Sequence, residues 1–131
     1  MNQPSNSRTI RQTYIAPGAK DSQFLDNNTS DCLYVNNGNN TFTNVSEEMG
    51  IRNFSYGLGV VASDINQDGW TDIFIANDYD KPDHLYINQR GKSFKETANT
   101  SFDHISNFSM GTDISDINND GLPDILSLIH I

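Results

Sequence analysis

Cysteine is almost missing. Cys32 is the only one in 131 residues, which excludes an internal disulfide and a cysteine-rich zinc site. Basic residues are scarce as well: eight Lys and Arg stand against seventeen Asp and Glu, for a formal net charge of −9. Such a surface repels phosphate backbones and anionic membranes, and no basic aromatic platform for RNA occurs, so nucleic acid is not an expected partner. No apolar run approaches the roughly 20 residues needed to cross a bilayer, and the opening "MNQPSNSRTIRQTYIAPGAK" has no apolar signal-peptide centre. The three histidines, His84, His104 and His130, share no metal-ligand spacing. What the charge balance suits is a cation: two divalent ions would bring −9 to −5.

What the chain does have is a repeat. "DINQDGWTD" (64–72) returns as "DINNDGLPD" (116–124), an offset of 52 residues. At the same offset "CLYVNNGNNTFTNV" (32–45) matches "HLYINQRGKSFKET" (84–97), and Asp31, Tyr56 and Gly59 match Asp83, Phe108 and Gly111. A constant offset over separate landmarks marks nearly two copies of one unit. Each unit reads as four short strands: Leu33–Val35, then Thr41–Val45 after the Asn/Gly turn "NNGNN", then Gly59–Ala62 before the acidic loop and Ile73–Ala76 after it. Phe42 and Val45 are the expected core anchors of the hairpin, with at most one helical turn near Glu47–Met49. A repeated four-stranded unit of this length predicts an all-β fold, part of a β-propeller with about two blades, since one blade cannot bury both faces of its sheet.

Within each acidic loop, side-chain oxygens fall at positions 1, 3, 5 and 9: Asp64, Asn66, Asp68 and Asp72, then Asp116, Asn118, Asp120 and Asp124. Gly69 and Gly121 at position 6 permit the bend, and Trp70 and Leu122 at position 7 would offer backbone carbonyls. These hard oxygen donors, completed by water, match the six to eight that Ca²⁺ takes, whereas Mg²⁺ demands a tighter octahedron. Without a cation, carboxylates held so close would repel one another. The expectation is therefore two calcium sites. An EF-hand is excluded because position 12 is Ile75 or Ser127 rather than Glu, and the flanking "IFIA" is strand-like. Trp70 at the loop apex also offers an indole to stack on a sugar ring or to pack against a neighbouring blade. "NFSYG" (53–57) has Asn53 where a nucleophile elbow has glycine, so Ser55 is not assigned a catalytic role.

"YGLGVVASDINQDGWTDIFIAND" resembles an FG-GAP (VCBS) repeat: Tyr56-Gly57 stand at the aromatic-glycine start, followed by D-x-N-x-D-G-x-x-D and an apolar strand. Together with "LYVNNGNNTFTNVSEEMGI" and "LYINQRGKSFKET", the chain is similar, over about residues 25–126, to the cartilage-acidic-protein-like, ASPIC/UnbV-associated bacterial group. Two departures stand out: Ser109 replaces the glycine after Phe108, and Ala76-Asn77-Asp78 replaces the "GAP" part. The resemblance implies a calcium-stabilised propeller of an extracellular or cell-surface protein, not an enzyme, mediating adhesion to an extracellular protein or glycan. An alternative is the non-catalytic propeller part of a larger polysaccharide-acting enzyme. The expected division is a partial preceding blade or irregular segment at 1–24, one blade at 25–78 and an incomplete one at 79–126. Residues 127–131 are expected to be a non-native tail, because "LSLIHI" (126–131) back-translates as CTG-TCT-CTT-ATA-CAC-ATC, the transposon-end adapter of sequencing libraries. Met1 is then expected to be an internal residue of a longer reading frame.

Overall fold

The structure is a computed structural model that describes residues 8–11 (as backbone), 30–79 and 81–129. The rest of the expected 1–24 segment and His130 lie outside the described residues. The chain forms two compact units, 1–54 and 55–131.

In the first unit, β1 (Arg8–Arg11), β2 (Cys32–Asn36) and β3 (Phe42–Asn44) make an antiparallel sheet in that order. The hairpin turn is the one its Asn and Gly residues foretell: Gly38 and Asn40 take φ of 82° and 63°, and the Asn37 N–H donates to the Thr41 carbonyl at 3.0 Å. After β3 the chain makes a helical turn, with Met49 N–H donating to Val45 O at 2.8 Å. Met49 and Ile51, at and just after that turn, are buried, as is Leu33 of β2. Phe42 is not a core anchor here: it is 53 % exposed, whereas Phe94, its match in the next copy, is 8 % exposed. Nothing among the described residues of its sheet covers it. Asp31 is buried in a reciprocal pair with Asn53: its N–H donates to Asn53 Oδ1 at 3.1 Å, and Asn53 Nδ2 donates to its Oδ2 at 2.7 Å.

The second unit holds a complete four-stranded meander, β4 (Tyr56–Ser63), β5 (Asp72–Asp78), β6 (His84–Asn88) and β7 (Phe94–Glu96), in chain order. A one-turn helix, α1 (Ala98–Ser101), leads on to the two-stranded sheet β8 (Ser109–Ser115) and β9 (Asp124–Ile129). Strand β9 includes the first three residues of the expected tail, Ile129 pairing with Ser109 and Ser127 with Thr112.

The sheets are grouped out of phase with the sequence period. The span 25–78 contains β2 to β5, yet β2 and β3 pair with β1, while β4 and β5 pair with β6 and β7. The reason lies in the connections. Short turns keep consecutive strands in one antiparallel sheet, while the longer stretch carrying α1 takes the chain from β7 to a new sheet. By this phasing, β1 holds in its sheet the place that β5 holds in the meander.

The core of this unit is the buried set Phe74, Ala76, Leu85 and Ala98. Ile114 and Ile125 of the two-stranded sheet pack against it, as do Phe102 and Ile105 of the connector, and Phe102 meets Phe74 edge-on at 6.2 Å between ring centres. Where β4 faces β8 the spacing is close: a Cβ on Gly59 would lie 3.3 Å from Thr112 Cγ2 and from the Thr112 backbone nitrogen. Glycine here allows that approach.

Candidate metal centres

Strands β4 and β5, and again β8 and β9, are joined by the acidic loops, and the two loops fold alike. Positions 4 and 6 turn left-handed in both: Gln67 and Gly69 at φ of 57° and 86°, Asn119 and Gly121 at 62° and 85°. Position 6 needs glycine for this; position 4 tolerates it at some cost. The side-chain oxygens then close the turn. Asp64 Oδ1 accepts from Asp68 N–H at 2.9 Å and its Oδ2 from Gly69 N–H at 2.8 Å; Asn66 Oδ1 also accepts from Asp68 N–H, at 3.0 Å. Asp68 Oδ1 accepts from Trp70 N–H at 2.9 Å, and its Oδ2 accepts from Asn66 Nδ2 at 3.1 Å. The second loop repeats all five bonds with Asp116, Asn118, Asp120, Gly121 and Leu122, at distances from 2.8 to 3.0 Å.

The structure thus brings positions 1, 3 and 5 of each loop together around one turn and sets position 9 behind it. Asp72 is fully buried and faces backbone: its Oδ2 accepts from the N–H of Ile65 at 3.0 Å and of Asn66 at 3.4 Å, and its Oδ1 from Asn88 N–H at 2.8 Å. Asp124 Oδ2 accepts from Ile117 N–H at 2.9 Å. Among the described residues, no three carboxylates, imidazoles or thiolates are gathered tightly enough to form a metal cluster by themselves. The donor chemistry nevertheless fits a hard cation. Each carboxylate oxygen that accepts one amide N–H keeps a further lone pair, Asn66 and Asn118 add amide oxygens, and position 7 adds a carbonyl, giving an all-oxygen set of the kind Ca²⁺ takes.

Trp70, 42 % exposed, rests its indole on the β6–β7 turn: a Cβ at Gly91 would stand 2.8 Å from Trp70 Cζ3. Gly91 also has a φ of 76°, so both its bareness and its conformation are used. Leu122, its counterpart, is exposed.

Sequence reasoning missed the residues that anchor the loops and sheets. Asn88 donates through Nδ2 to Thr71 O at 2.9 Å and accepts from Gly91 N–H at 2.7 Å, tying the first acidic loop to β6 and its turn. The signal was present: Asn36 occupies the matching place, and its Oδ1 accepts from Gly38 N–H at 2.8 Å. In the sequence Asp83 is only a landmark of the repeat. It is buried, accepts from Asn77 N–H at 2.8 Å, and receives the Ser109 hydroxyl at 2.8 Å across to β8. Burial pushes its pKa above the usual carboxylate value, opposed by those hydrogen bonds, by His84 and by Ser127. Ser109, the departure from the repeat's glycine, is thus the partner of a buried carboxylate. Ser55 is buried, and its hydroxyl has no hydrogen-bond partner among the described residues.

Among the described residues, no helix is long and apolar enough to cross a membrane. The model of the FG-GAP-like repeat matches twice, over residues 18–75 and 64–127. The chain is also similar to Cartilage acidic protein 1 of Xenopus tropicalis, 31 % identical over 107 residues; the match covers 78 % of this chain and spans 16 % of that protein's length. Two family matches that together cover most of the chain, on an all-β fold of antiparallel sheets, make this protein a member of the FG-GAP-like repeat family, whose repeats form β-propeller blades.

Proposed function

We propose that the chain is a calcium-binding, non-enzymatic propeller module of a secreted or cell-surface protein, belonging to the cartilage-acidic-protein-like, ASPIC/UnbV-associated bacterial group. The ions bridge β4 to β5 and β8 to β9, neutralise the clustered carboxylates, and hold that rim rigid for an extracellular protein or glycan partner. One observation carries the reading. Two loops of different sequence at positions 4, 7 and 8 adopt the same backbone and aim the same oxygens at the same amides. The repeat therefore preserves every side-chain donor, while three of the remaining positions vary. Extracellular modules of this chemistry hold calcium with Kd on the order of 10⁻⁴ to 10⁻³ M.

The test is thermal melting in millimolar calcium against chelator. Calcium should raise the melting temperature, and Asp68→Ala and Asp120→Ala should each remove one binding event in calorimetric titration. Identical melting curves with calcium and with chelator overturn the reading.

A further inference from the structure

One side chain crosses from the first acidic loop to the second. Gln67 Nε2 donates to the Gly121 carbonyl at 2.6 Å, joining residues 54 apart in sequence. We propose that Gln67 is a strut that couples the two loops, so that an ion in one raises the affinity of the other; this rests on the calcium reading above.

The argument concerns one peptide plane. The Gly121–Leu122 peptide is held at its N–H end by Asp120 Oδ1, at 2.8 Å, and at its carbonyl end by Gln67. It directly precedes the Leu122 carbonyl, the backbone oxygen the second loop offers to an ion. Gly121, at a φ of 85° and with nothing within 4 Å of where a Cβ would sit, is free to swing that peptide; the strut fixes it. Gln67 itself sits between two donors of the first loop, Asn66 and Asp68. An ion there immobilises the backbone on both sides of Gln67. The conformational entropy lost in seating the strut is then already lost when the second ion arrives, which is positive cooperativity, and linkage makes it reciprocal. Position 4 is one of three places where the loops differ, glutamine in the first and the shorter asparagine in the second. One exposed neutral hydrogen bond sets the scale of the coupling at about threefold in affinity.

Trp70, the chain's only tryptophan, lies at position 7 of the first loop, while the second has Leu122 there. Terbium(III) luminescence excited through the indole, at wavelengths where tyrosine does not absorb, therefore reports ions near Trp70, and the emission left in Asp68→Ala measures any share from the second loop. Asp120→Ala, which disables the second loop, should weaken the terbium affinity seen at Trp70 about threefold. In a Gln67→Met background, which keeps the length and removes the donor, Asp120→Ala should leave that affinity unchanged. Gln67 is exposed, so the methionine variant should melt in chelator at the temperature of the unaltered chain. Coupling is overturned if Asp120→Ala has no effect with Gln67 present, or an equal effect with Met at 67. Absence of any sensitised emission from the unaltered chain overturns the calcium reading, and this inference with it.

Discussion

Among the described residues, the two acidic loops share their donors and their backbone but not their support. The first is backed by a third strand: Asn88 at the end of β6 gives its amide to Asp72 and its side chain to Thr71, and the β6–β7 turn carries the Trp70 indole on Gly91. The second is closed by β8 and β9, a sheet of two strands among the described residues. The matched isoleucines register the contrast. Ile65 packs against the core, while Ile117 is 65 % exposed. The lesson is that the turn's conformation is written locally, in Asp, Asn and Gly, whereas its rigidity is supplied by the next hairpin.

Breaking the anchors should separate the loops most sharply. Asp72→Ala leaves three backbone donors without their acceptor, two of them in the loop and one on β6, and should lower stability by about 3 kcal/mol or more. Asp124→Ala strips one partly exposed contact and should cost about 1 kcal/mol; urea unfolding of the two variants gives the difference. Gly91→Ala forces a Cβ against the indole at a positive φ and should cost about 2 kcal/mol. A red shift of Trp70 emission should accompany it, and Leu122, exposed among the described residues, makes no equivalent demand there. In calcium titration the better-supported first loop should bind about fivefold more tightly, because less ordering remains to be done on binding; titrating Asp68→Ala and Asp120→Ala separately assigns the two constants. The smallest effect concerns Asp83, whose raised pKa means that the folded state holds the proton more firmly than the unfolded chain. Its contribution to stability is then fully present below the ordinary carboxylate pKa and is lost as pH rises through the raised value. Asp83→Asn, which retains an oxygen for the Asn77 amide, should flatten that fall when melting temperatures are compared across the acid range.

Much of this was legible in the sequence, for identifiable reasons. The repeat offset, the strand pairs and the Asn/Gly turns are local or periodic features. The expected strand at Ile73–Ala76 lies within β5 and that at Gly59–Ala62 within β4. In each loop the side chains at positions 1, 3 and 5 accept from amides of the same turn, while the carboxylate at position 9, borne on the following strand, accepts from backbone amides. The phase of the sheets was not legible, since a repeat has no intrinsic beginning and hydrogen bonding follows the short connections. Met49 and Ile51 were hidden in the polar stretch "SEEMGIRN", where burial depends on a single helical turn. Phe42 lies outside the core because a hairpin's apolar residue is buried only if its sheet has a neighbour on that side. The Asp83–Ser109 contact spans 26 residues within one copy of the unit and the Gln67–Gly121 contact spans 54 between two copies, and no local pattern encodes them.

The mismatch between sequence period and sheet has an evolutionary reading. Inserting one more period cut at bounds equivalent to 25–78 does not add a free-standing sheet; it gives two strands to the sheet before it and two to the sheet after it. Each duplicate is therefore stitched to both neighbours as soon as it arises. A deletion along the same boundaries rejoins half-sheets of compatible shape, so blade number can change by whole periods without leaving an unmatched strand edge behind.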